Sequence, residues 1–238
     1  MPASSAPRLL SRLVDVRPGE VRALGWSCLF FFAVLASYYV IRPVRDELGA
    51  AAGASQLPWL FLMTLGGMTA VNPLFSALVA RLAPVRFISI TYRFFALNLL
   101  IILVLMNTAT GAAAVWVGRA FWVWAAVFNL FVVSVFWGFL VDVFDDDQSR
   151  RLFGFISAGG TLGGIAGSSL AALLATRAGR GWLLVASAVL LEAAVFSVHR
   201  LAGVSERLRE RRAPRRRQAV GGSAWSGFSH AFLSPYLL

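Results

Sequence analysis

Residues 112–140 read AAAVWVGRAFWVWAAVFNLFVVSVFWGFL, and Arg119 is the one charge in the stretch. At about 1.5 Å of rise per residue, a helix of this length reaches roughly 43 Å, longer than the ~30 Å hydrocarbon core of a bilayer. It is apolar on every side, whereas a helix on a water-soluble surface keeps one polar face. Working outward, five similar blocks occur at 24–44, 56–80, 85–106, 153–175 and 182–201. Charged residues make up 14% of the chain and hydrophobic ones 58%, with a mean hydropathy of +0.73. A soluble domain carries about 25% charge to cover its surface. The expectation is an all-α membrane protein, a six-helix transmembrane bundle.

The polar connections between blocks are short, so consecutive helices should be antiparallel neighbours. Pro18 and Pro58 suit first helical turns, where the missing N–H costs nothing, and Asn72-Pro73 should kink the second span. The apolar block after the polar N-terminus is too long for a signal-peptide core and no small-residue cleavage site closes it, which predicts a retained first helix. Four segments follow: a tail (1–23), the bundle (24–202), a basic loop (203–223) and a segment (224–238) where Trp225, Phe228 and Phe232 recur at helical spacing, as in an interfacial helix.

The formal charge is +11, and all 22 basic residues are arginine. They flank the apolar blocks or sit in the tails, so membrane topology explains them better than a nucleic-acid partner. With the N-terminus inside, 16 arginines fall on the cytoplasmic side and four outside: Arg42, Arg45, Arg177 and Arg180. Both termini are then cytoplasmic. Cys28 is the single cysteine, which excludes disulfides and cysteine-cluster metal sites. His199 and His230 pair with no nucleophile, so no catalytic set emerges and neither a cofactor nor a metal is expected.

Four constellations stand out. Gly159, Gly163 and Gly167 recur every four residues in the fifth span, and such a small-residue face lets another backbone approach closely. The sequence lacks the strand before it and the lysine after it that a phosphate loop requires. At the end of the first span Arg42, Arg45 and Asp46 share a helix face, and Arg42 can pair with Asp46. They read either as a charged outer end or as an anion-binding cluster, for which the guanidinium fork suits phosphate or carboxylate oxygens. Arg93 and Arg119 each lie roughly 10 Å inside their spans, where facing lipid costs on the order of 2–3 kcal/mol. Substrate binding, structural pairing and snorkelling all remain open for them, and Asn98 and Asn129 are further mid-span polar groups. Lastly, VDVFDDDQSRR places Asp142, Asp145, Asp146 and Asp147 before Arg150 and Arg151, which reads as a cytoplasmic charge latch rather than a metal site.

The stretch SYYVIRPVRDELG (37–49) resembles the helix-one segment of the ATP/ADP antiporter (nucleotide translocase) family, and Arg45 falls where known exchangers carry a substrate-binding lysine. VFNLFVVSVFWGFLVDVFDDDQSRRLFGFISAGGTLGG (127–164) resembles the helix-four-to-five region of bacterial members, with Asn129 the polar residue nearest to an acidic position of their fourth helix. The six spans, the basic loop and the glycine-rich fifth helix resemble the N-terminal half of a major facilitator superfamily protein, half of a twelve-helix transporter. The resemblance implies alternating access in a bacterial inner membrane, with a small anionic substrate, organic anion or nucleotide, near Arg42, Arg45, Arg93, Arg119 and Asn129. It also implies a second six-helix half as partner, beyond the lipid bilayer itself. The alternative is a truncated, non-transporting six-helix membrane unit that acts as a regulatory or partner-binding subunit.

The topology is directly testable. A cysteine placed at Ala51 should react with an impermeant label added outside intact cells, and one at Ala213 should not. Labelling at Ala213 alone would invert the orientation.

Overall fold

The computed structural model describes residues 16–210 apart from 18 and 52. Pro18, most of the N-terminal tail and everything from 211 onward, including the 224–238 segment, lie outside the described residues. Among the described residues are six helices and no strand: α1 Val21–Ala51, α2 Leu57–Arg81, α3 Pro84–Thr108, α4 Ala112–Val143, α5 Asp146–Arg177 and α6 Arg180–Glu210. A short 3-10 turn, Ala54–Gln56, precedes α2. Five of the helices, all but α2, are long and apolar enough to cross a membrane.

Three boundaries differ from the sequence expectation by seven residues or more, the first being the end of α1, at Ala51 rather than Val44. α5 begins at Asp146 rather than near Phe153, so Asp146 and Asp147 lie in its first turn, Asp145 caps it and Asp142 belongs to the end of α4. Asp145 is the reason: its side chain accepts the Gln148 N–H at 2.9 Å while the Gln148 side chain accepts the Asp145 N–H at 3.2 Å. This reciprocal capping satisfies two of the donors that a helix start leaves open, and Asp146 and Asp147 complement the positive end of the dipole. α6 in turn continues past Leu201 to Glu210, into the beginning of the segment read as a loop. α1 and α2 run through Pro43 and Pro73 without ending. At Gly179 the chain reverses between α5 and α6 with φ of 83°, a left-handed conformation that disfavours a side chain.

The helices alternate in direction, but the closest packing joins non-consecutive ones. α1 is the hub. It runs parallel to α5, since Cys28, Phe32 and Ala36 meet Gly159, Gly163 and Gly167 in order. A Cβ on Gly163 would lie 2.8 Å from the Phe32 Cα, and one on Gly167 would lie 2.8 Å from the Ala36 Cα. Both distances are too short for any side chain, so the two backbones touch. α1 runs antiparallel to α6, with the buried Ser37 and Ser187 hydroxyls 2.9 Å apart. On the α4 side Phe31 stacks on Phe136 with ring centroids 4.2 Å apart. α3 closes against α4 through the fully buried Tyr92, whose hydroxyl donates to the Val132 carbonyl at 2.8 Å.

The outside is apolar. Trp59, Leu65, Val104, Val141, Leu162 and Val189 are all exposed. Such a belt around the whole bundle is what lipid tails solvate and water does not.

The α1–α5 contact makes a clear prediction. Gly163→Leu should abolish folded protein in mild detergent, judged by monodispersity and thermal melting. Gly154→Leu, on the same helix with open space around it, should be tolerated. Equal tolerance at the two positions would contradict the close approach.

Candidate functional site

The polar residues of α1 collect in its last turns. Pro43 has no N–H, so the Tyr39 carbonyl loses its helical donor just where Tyr38, Arg42, Arg45 and Asp46 cluster. Arg42 faces outward and pairs with Asp46 at 3.6 Å, the i,i+4 pairing that the spacing predicts, with both side chains about half exposed. Arg45 points the other way, toward α4. Its guanidinium carbon sits 4.3 Å from the centroid of the Trp122 ring, and its side chain is 18% exposed. The room for Trp122 comes from Gly49, one turn beyond Arg45, where any Cβ would collide with the indole.

Arg45 is compensated weakly. The Tyr38 hydroxyl accepts from its Nη1 at 3.3 Å, and the Asp46 carboxylate is at the 4.0 Å edge of an ion pair. The cation–π contact contributes on the order of 1 kcal/mol. Arg119 lies three residues before Trp122 on α4, hence on a neighbouring part of the same face. It spans 5.0 Å to the Trp116 ring and 3.5 Å to the Gln56 side-chain oxygen, with no carboxylate paired to it among the described residues. The Nε atoms of Arg45 and Arg119 and the indole nitrogen of Trp122 are all buried with no hydrogen-bond acceptor. Leaving such a donor buried and unmade costs about 1–3 kcal/mol each. The indole nitrogen of Trp124 is buried without an acceptor as well, so the feature that suits an anion is the pair of partly buried cations with no carboxylate closer than Asp46 at 4.0 Å. Asn129 is half-buried on α4, two turns from Trp122 on the same face.

Arg93 is placed differently. It reaches α6, where the Glu192 carboxylate accepts from its Nε at 3.3 Å. Sequence reading missed Glu192, although it is the one acidic residue inside the 182–201 block. An acid and a base in the middle of separate apolar spans were the available signal.

At the opposite end of the bundle, Arg151 and Gln148 meet Glu20, also missed. Glu20 is buried just before α1. It accepts from the Gln148 amide at 2.8 Å, from the Arg17 N–H at 3.1 Å and from two Arg151 nitrogens at 3.4 Å each. Arg151 also binds Asp147 at 3.2 Å, and Asp147 pairs with Arg17 at 3.6 Å. The network ties the start of α1 to the start of α5. Asp142 and Arg150 are exposed beside it.

Burial alone would raise the Glu20 carboxyl, but the bonds from Gln148, the Arg17 backbone and Arg151 outweigh it and hold the group below its ordinary 4.5. A depressed native value means that the contribution is complete above about pH 4.5 and is lost as pH falls through the native value. Glu20→Gln should therefore lower the melting temperature at pH 7, and the gap from wild type should shrink as the pH is taken from 6 to 3. A gap that stays constant with pH would contradict the charged latch.

A cavity of about 210 Å³ lies between α1, α3, α4 and α6, with Leu48, Asn107, Gly118 and Arg180 in its lining and none of Arg45, Arg93 or Arg119. Arg180 is engaged there by Glu47 at 3.1 Å. Comparison with models of known protein families, with curated proteins and with solved structures finds no match in any of the three.

Proposed function

We propose that the chain is a multi-pass membrane protein and the N-terminal half of a secondary transporter of the major facilitator type, resembling the ATP/ADP antiporters, which binds an organic anion or nucleotide at the α1–α4 face. The membrane reading is supported by the helix lengths and by the apolar belt. The observation that carries the anion site is that Arg45 and Arg119, both partly buried, have no carboxylate closer than Asp46 at 4.0 Å from Arg45. A helix bundle retains such weakly compensated cations only at a cost, which a bound carboxylate or phosphate would remove through charge-assisted hydrogen bonds. Arg93 is left out of this site because Glu192 already holds it.

The close α1–α5 backbone contact supports rigid-body rocking of the half, since a smooth glycine face permits small displacements without side-chain clashes. The second six-helix half, the inner bacterial membrane and the cytoplasmic termini belong to the same proposal.

The test is binding and uptake of labelled nucleotides and di- and tricarboxylates by the full chain in liposomes. Arg119→Gln should weaken binding about 10- to 100-fold, the equivalent of one hydrogen bond to a charged group, with melting unchanged. Arg45→Lys should retain part of the affinity because it keeps the charge and loses the fork. Undiminished binding in both variants, or no anion bound by the wild type, would overturn the site.

A further inference from the structure

We infer that the α3–α6 face is the contact surface of a homodimer with its two-fold axis along the membrane normal, in which Arg93 and Glu192 of each copy meet Glu192 and Arg93 of the other. This rests on the membrane reading and not on transport. Arg93 lies close to the middle of the 85–106 block and Glu192 to the middle of the 182–201 block. Yet their side chains are 61% and 50% exposed. Facing lipid, half of each charge would have only acyl chains for company, the environment that intramembrane charges avoid. Ile90 and Leu97, one turn either side of Arg93, and Val189 and Phe196, one turn either side of Glu192, are exposed as well, so the charged pair sits inside an apolar patch.

Any partner covering that patch must present a base and an acid at the same depth, in complementary positions. A second copy does so by symmetry. With the 3.3 Å intrachain pair beside the axis, the four charges form a square of alternating sign, in which every neighbour is an opposite charge. A patch with both signs adjacent is self-complementary in a way that a patch of one sign is not.

The experiment uses two differently tagged copies of the full chain, co-expressed and captured in mild detergent. The double variant Arg93→Glu with Glu192→Arg keeps the intrachain pair and inverts its direction. Wild type should capture wild type and the double variant should capture itself. In the mixed pair each wild-type charge would face a substituted side chain of its own sign, so that pair should be captured at least tenfold less. Equal capture of the mixed pair would overturn the inference, as would failure of wild type to capture wild type.

A second measurement holds if the double variant does not fold. In a Cys28→Ala background, Leu97→Cys should form a disulfide-linked dimer in membranes under mild oxidation, and Leu162→Cys on exposed α5 should not. No dimer at Leu97, a link to a protein of different mass, or equal linking at both positions would overturn it.

Discussion

The bundle depends on how closely the backbone of α1 can approach that of α5. Gly163 and Gly167 remove the side chains that would keep the two apart, so Phe32 and Ala36 of α1 lie directly on the α5 backbone. Within lipid there is no hydrophobic gain from joining two apolar helices, and close van der Waals contact must supply it instead. With α1 held in this way, its opposite sides are fixed too. Ser37 meets Ser187 of α6, Phe31 stacks on Phe136 of α4, and the polar last turns deliver Arg45 onto Trp122.

The charges fall into two kinds that differ in what surrounds them. Glu20 with Gln148 and Arg151, and Arg93 with Glu192, are base–acid arrangements whose bonds are made within the chain. They tie α1 to α5 at one end and α3 to α6 in mid-span. Arg45 and Arg119 have aromatic faces and neutral oxygens, and the nearest carboxylate to Arg45 is that of Asp46 at 4.0 Å. A protein built for stability alone would place a closer carboxylate there, as it does for Arg151 at 3.4 and 3.2 Å. The weak compensation of these two cations is therefore the feature on which the anion proposal stands.

Much of the fold was legible in the sequence because length and composition decide it. Helix 112–140 is apolar on every side, and its boundaries could be read to within a few residues. The glycine ladder was legible as a close-approach face, but which helix approaches it depends on tertiary register. Span five was set too short because an acidic run looks like a loop. The Asp145 and Gln148 spacing was nonetheless a helix-start signal. Arg42 with Asp46 could be predicted since both lie on one helix. Arg93 with Glu192, and Arg151 with Glu20, join residues 99 and 131 positions apart, and only the packing of α3 on α6 and α1 on α5 brings them together. The Arg45–Trp122 contact is hidden for the same reason, because it depends on Gly49 making room on another helix.

The most direct test of the anion site observes the unmet donors themselves. With arginine side chains labelled with ¹⁵N and the protein in lipid nanodiscs, the Nε–H resonances of Arg45 and Arg119 can be assigned by their loss in Arg45→Lys and Arg119→Lys. Titration with nucleotides and with di- and tricarboxylates should move both resonances downfield, saturably and at the same ligand concentration, while the Arg151 resonance stays fixed. Resonances of Arg45 and Arg119 that remain unmoved across the whole series would contradict the account.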